Sequence, residues 1–205
     1  MSEMAVLASK QALQEAAYDP KSNAKRTCLI MGSTTGSPET METYFRKLFE
    51  KNGPEGQLST SFFKVMNHSV AANVVVGLEL SIPLLSPGSA CSTSSQAIAL
   101  GWELIQAGLY DVVIAGGADE LHYTSTAVFD IVMAASRNYN DRPDLTPRPF
   151  DEKRDGLVVS EGASVVVLES EEHVKRREAR PLAQLSSGSY FCDGTHMSQP
   201  QKASM

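Results

Sequence analysis

Short apolar runs alternate with longer stretches of helical periodicity along this chain. Residues 2–17 carry a helical pattern that stops before Pro20. "RTCLIMGS", 26–33, is a short β-branched and apolar run ending at glycine, which predicts a buried strand. "SPETMETYFRKLFEKNG", 37–53, predicts an amphipathic helix with Ser37 as N-cap, Pro38 in the first turn and Gly53 at its end. Met41, Tyr44, Phe45, Leu48 and Phe49 fall on its apolar stripe. Helices are also predicted over 67–80, 93–111, 124–136 and 170–179, and strands over 111–119 and 162–170. Residues 81–90 read as extended, 181–191 as a final strand, and 192–205 as a tail. The strands are continuous apolar runs between helices. That pattern predicts an α/β domain with a sheet covered by helices on both faces.

Composition narrows the class. The 205 residues are 42% hydrophobic and 20% charged, which fits one sizeable core. A net charge of -6 leaves no electrostatic footprint for nucleic acid. The basic runs at 24–26 and 175–178 are short and read as solvated faces or helix ends. No stretch reaches the roughly 18–20 apolar residues of a membrane span, and the N-terminus lacks the pattern of a signal peptide. Cys28, Cys91 and Cys192 are odd in number and far apart, with no CxxC, so neither a disulfide framework nor a metal site is expected. A reducing cytoplasm is the expected compartment.

Candidate chemistry centres on "LSPGSACSTSSQAIALGWEL", 85–104. Free cysteines are often inert packing residues, and Cys91 admits that reading. Against it, a helix follows directly, so a thiolate there would meet unpaired backbone N–H groups and the positive end of the helix dipole. The helix is nearly uncharged, from which a buried, unscreened dipole is expected. Small neighbours leave room for a substrate. Cys28 lies mid-strand and reads as core, and Cys192 has no visible partner. "MGSTTGSP" and "AGGAD" lack phosphate-loop and dinucleotide spacing; their glycines are expected to admit a ligand or another segment of backbone. His68, His122, His173 and His196 sit in no motif that announces a base, and His173 lies in a charged helix that reads as surface. Asp151, Arg154 and Asp155 read as a salt-bridged turn bracing the next strand, or as a site wall.

Taken in order, "SACSTS", "DVVIAGGADE", "FDIVMAAS" and "RPFDEKRDGLVVSEGA" resemble the β-ketoacyl-[acyl carrier protein] synthases of the thiolase-like superfamily, as do "MGSTTGSPE" and "FFKVMNHSVAANVVVGLEL" upstream. The resemblance runs from Met1 to about Pro200. It implies a layered thiolase-like α/β fold with a mixed sheet, of which 1–205 would be an incomplete N-terminal half lacking the first strand. It implies that Cys91 takes an acyl group from acyl carrier protein, that its backbone N–H is an oxyanion donor, and that malonyl carrier thioester is then decarboxylated and condensed. Phe129 and Thr35 match acyl-pocket positions. A homodimer, or a heterodimer with a related synthase, is implied, with the segment before Cys91 pairing across the two-fold, kept short by Pro87. No cofactor is implied.

The family's second-half motifs, "HGTGT" and "GHxxGAAG", do not occur in this sequence. The chain is therefore expected to be an internal piece of a condensing enzyme that does not condense alone. Variants such as "SEGA", "MNHSVAAN" and "FDIVMAAS" point to polyene or polyketide pathways as the alternative to fatty acid biosynthesis. A non-catalytic partner subunit and a poorly folded remnant are the remaining alternatives.

Overall fold

The computed structural model describes residues 1–196 and 201; the rest of the expected tail lies outside the described residues. The core is a four-stranded mixed sheet in the order β2-β1-β3-β4. Strand β1, Thr27–Gly32, pairs in parallel with β3, Val112–Asp119, over the whole register from Thr27↔Val112 to Gly32↔Gly117. On its other side β1 takes the two-residue strand β2, Leu84–Leu85, also in parallel. The edge strand β4, Gly162–Glu169, runs antiparallel to β3.

Helices cover both faces, as the apolar runs demand. Leu29, Met31 and Ile114 pack with Ala5 of α1 (Ser2–Glu15) and with Val70, Ala71 and Val74 of α4 (Ser69–Gly77). Cys28, Ile30, Val113 and Ala115 point the other way, onto Ala97 and its neighbours in α5 (Thr93–Gln106). Because β1 and β3 are buried on both faces, every other residue feeds a different core, and each fully buried aliphatic side chain contributes about 1.5–3 kcal/mol.

Helix α2, Pro38–Glu50, has its N-cap at Ser37, whose Oγ accepts from the Thr40 N–H. Its expected core stripe does not find a core. Phe45 and Phe49 are exposed and stack on each other, because α2 packs chiefly on α3, Ser59–Lys64, a short helix absent from the sequence reading. Helix α6, Tyr123–Ile131, and helix α7, Glu171–Arg176, complete the order.

Three expectations need correction. Residues 181–191 form no strand but an exposed strip. Gly188 there lies against Ala99 of α5, and Tyr190 Oη donates to Glu103. Pro181, the Ser186–Ser187 pair and Gly188 have little preference for a pleated ladder. Strand β4 does not read as doubly buried: it alternates between exposed and half-buried residues, as an edge strand does. His173 is buried rather than on the surface. Its Nδ1 lies 2.8 Å from Glu169 Oε2, and its ring meets Tyr18 edge-on.

Candidate functional site

The parallel register sets the position of the site. The carboxyl ends of β1, β2 and β3 point the same way, and β4 begins there because it runs antiparallel. The loop after β1 carries Thr35, the loop after β2 carries Cys91, and the helix after β3 carries Phe129. In open parallel sheets this end is where ligands bind. Thr35 and Cys91 are thus brought to one end of one sheet, and Phe129 lies on the helix that follows β3.

Cys91 sits in a single 3-10 turn, Ala90–Ser92, that runs into α5. Its first-turn position leaves its backbone N–H without an intrahelical acceptor. Ala90 holds φ at +48°, a left-handed conformation that costs a non-glycine residue about 1–2 kcal/mol. Thr93 keeps the turn in place: its Oγ1 donates to Ala90 O at 2.7 Å and accepts from the Ser89 N–H at 3.1 Å. Ser92 Oγ donates to Ser89 O at 2.8 Å. Thr93 is buried, whereas Cys91, Ser92, Ser94 and Ser95 are exposed. The N-terminus of α5 therefore opens to water, and solvent screens its dipole, contrary to the unscreened dipole expected from the apolar sequence. Sequence reasoning missed Thr93; the signal was a threonine two residues after the cysteine, where a hydroxyl reaches back to the turn it follows.

The glycines explain how α5 comes so close to the sheet. A Cβ on Gly32 would lie 2.7 Å from Thr93 Cγ2 and 2.8 Å from Pro87 O. On Gly117 it would lie 2.3 Å from Ser94 Oγ of α5, whereas on Gly116 it would meet the backbone of Ser164 and Val165 in β4. The expectation that these turns admit a neighbouring backbone is met by this chain's own segments.

Thr35 is exposed in a loop tied to β3. Asp119 accepts from Thr34 N–H at 2.8 Å and from Thr34 Oγ1 at 3.0 Å. Glu120 Oε1 accepts from Ser37 Oγ at 2.8 Å. Phe129 is half-buried on α6, and its carbonyl accepts from the N–H groups of Ala134 and Ala135. The start of α6 is joined to α2, with His122 Nε2 3.1 Å from Glu42 Oε2. Hydrogen bonds from Tyr123 and Arg46 hold the Glu42 carboxyl below its ordinary range.

The remaining cysteines and charges take structural roles. Cys28 is fully buried, and burial pushes its thiol up to about 11 despite a hydrogen bond with Tyr110. Cys192 is exposed. The 151–155 turn is hydrogen-bonded rather than salt-bridged. Asp155 accepts from the backbone N–H groups of Asn138 and Arg137 and from Ser136 Oγ, which lowers its carboxyl. Arg154 donates to Asp151 O. The turn thus braces the segment after α6 and not β4. No helix among the described residues is long and apolar enough to cross a membrane.

The family model for the β-ketoacyl synthase N-terminal domain matches residues 1–173. The chain belongs to that family. It is 34% identical over 198 residues to the 3-oxoacyl-[acyl-carrier-protein] synthase 1 of Haemophilus influenzae, which covers 96% of this chain and 48% of that protein. The crystal structure of a β-ketoacyl synthase from Burkholderia phymatum superposes with a TM-score of 0.78 at 41% identity, over 87% of this chain and 44% of that one. A type II polyketide ketosynthase in complex with its acyl-carrier protein shares the fold, with a TM-score of 0.78 at 24% identity over 87% of this chain and 45% of that one. The chain therefore spans about half the length of the relatives it matches. The thiolase-like fold expected from the motifs is the fold observed.

Proposed function

We propose that this chain carries the acyl-loading centre of a β-ketoacyl-[acyl carrier protein] synthase, with Cys91 as nucleophile. The observation that carries the reading is the placement of an exposed Cys91 in the turn that leads into α5, beyond the carboxyl ends of the parallel strands. The Cys91 thiolate attacks the carbonyl carbon of an acyl thioester. A new S–C bond forms, the carbonyl oxygen takes the negative charge, and the backbone N–H of Cys91 donates to it. The tetrahedral intermediate collapses, and the carrier's thiol leaves with the proton that Cys91 gave up. The acyl chain then extends past Thr35, in the loop after β1, and Phe129, on α6, which line its pocket on this reading.

The partner is acyl carrier protein, presenting first the acyl and then the malonyl thioester. Condensation needs groups that stabilise the enolate formed on decarboxylation. His173 is bound to Glu169, and His122 lies between Glu42 and Thr124. These two histidines are held by other groups, and the family's second-half histidine motifs do not occur in this sequence; on this reading the chain loads acyl groups and does not by itself release β-ketoacyl product. The pathway served is fatty acid biosynthesis. The working assembly is a dimer, with the short β2 segment at its two-fold.

The test is intact mass after incubation with a medium-chain acyl carrier thioester. One acyl adduct on the wild type and none on Cys91→Ala is expected. An adduct that survives in Cys91→Ala, or no adduct on a wild type shown to be folded, refutes the assignment.

A further inference from the structure

Asp119 and Glu120 are adjacent residues at the carboxyl end of β3, and both reach across to the same loop after β1. Asp119 accepts twice from Thr34, through the backbone N–H at 2.8 Å and through Oγ1 at 3.0 Å. Glu120 Oε1 accepts from Ser37 Oγ at 2.8 Å and from the Glu39 N–H at 3.3 Å. The loop is fastened from its other side as well. Gly36, at φ +73°, has Val65 O 2.6 Å from where a Cβ would stand; its N–H donates to Ser33 Oγ, and the Ser37 N–H donates to Lys64 O at 3.1 Å. Within Ser33–Ser37, Ser33, Gly36 and Ser37 are buried, Thr34 is half-buried, and Thr35 alone is exposed.

The turn is thus pinned on both sides of one uncommitted side chain. Charge-assisted hydrogen bonds to a carboxylate are among the stronger ones, and a bidentate pair fixes orientation as well as distance. We infer that Asp119 is a positioning residue for substrate selection: it holds the 33–37 turn at the height that sets how long an acyl chain passes Thr35. The inference rests on the reading of Cys91 and Thr35 above. It adds that the length ruler is set from β3 and not by the size of residue 35 alone.

The experiment compares wild type, Asp119→Ala, Asp119→Asn and Thr34→Val. Thr34→Val keeps the backbone bond and removes only the hydroxyl, so it remains informative if Asp119→Ala does not fold. Two readouts are taken. The first is the rate of acyl-adduct formation over carrier thioesters from butyryl to palmitoyl. The second is amide hydrogen exchange over 33–37, with β1 as internal reference. The expected result is a roughly tenfold change in the ratio of long- to short-chain loading in Asp119→Ala, the size of a wall displaced by about one methylene. Thr34→Val and Asp119→Asn should fall between, with butyryl loading retained and exchange over 33–37 faster in the order of bonds lost. Loading that slows equally for every chain length, or exchange unchanged in Asp119→Ala and Thr34→Val, overturns the inference. If the folded wild type forms no adduct, the Cys91 reading fails and chain-length selection falls with it. Exchange over 33–37 then decides whether Asp119 holds the turn at all.

Discussion

Gly32→Ala tests whether the close approach of β1 to the Cys91 turn holds the site together. The added methyl would stand 2.7 Å from Thr93 Cγ2 and 2.8 Å from Pro87 O, where an ordinary contact is about 3.4 Å or more. Either β1 or the 86–93 segment must therefore give by about half an ångström. Thr93 cannot simply rotate away, because its Oγ1 is bound to both Ala90 and Ser89. Overpacking of this kind costs about 1–3 kcal/mol. At this chain length that is a fall in Tm of about 2–12 °C. The displaced element is the one that presents Cys91, so acyl loading should fall more steeply than stability does. Thermal unfolding and intact-mass loading are measured on Gly32→Ala, on Gly32→Ala/Thr93→Ser, and on Gly53→Ala. Serine at 93 keeps the hydroxyl and removes the clashing methyl, so the double variant should recover part of both losses, with the Pro87 contact remaining. A methyl group at Gly53 would meet nothing within 4 Å, so Gly53→Ala should be near neutral. A Gly32→Ala protein with the wild-type Tm and loading rate would refute this account of how the turn is held.

Two further outcomes follow from the charges and thiols. Burial alone would raise the Glu169 carboxyl, but hydrogen bonds from Arg177 and His173 outweigh it and leave it lowered. A carboxyl lowered in the folded state contributes stability that is present above its unfolded value of about 4.3 and lost as pH falls through the folded value. Tm should therefore be level above about pH 5 and fall below about pH 4, while Glu169→Gln should lose about 3 kcal/mol at neutral pH and show a shallower acid limb. In thiol titration with an aromatic disulfide at pH 8, Cys91 and Cys192 should react in the native chain, and Cys28, buried with its thiol near 11, only after denaturation. Fast reaction of all three would show that the α5 face of the sheet is open.

Periodicity and short-range chemistry in the sequence determined much of this protein. The apolar runs at 26–33 and 111–119 predicted β1 and β3, since strands buried on both faces need no polar alternation. Ser37 and Pro38 predicted where α2 begins, because a cap is a local hydrogen bond. The motif around Cys91 was legible for the same reason, as a cysteine one turn ahead of a helix. What depended on distant partners was not legible. The stripe of α2 reads as core, yet Phe49 is 76% exposed, because periodicity shows that a face is apolar and not what covers it. His173 reads as surface, but its Nδ1 meets Glu169, itself paired with Arg177, and its ring meets Tyr18, which follows α1 and reaches it only once that helix is seated on the sheet. The run at 181–191 has apolar residues but no strand to pair with among the described residues, so it lies along α5 instead. Only tertiary structure decided that Thr34 meets Asp119 and that Gly32 makes room for Thr93. The first contact arises from the parallel register of β1 and β3, the second from the seating of the turn after β2 against β1, and both join segments far apart in the chain.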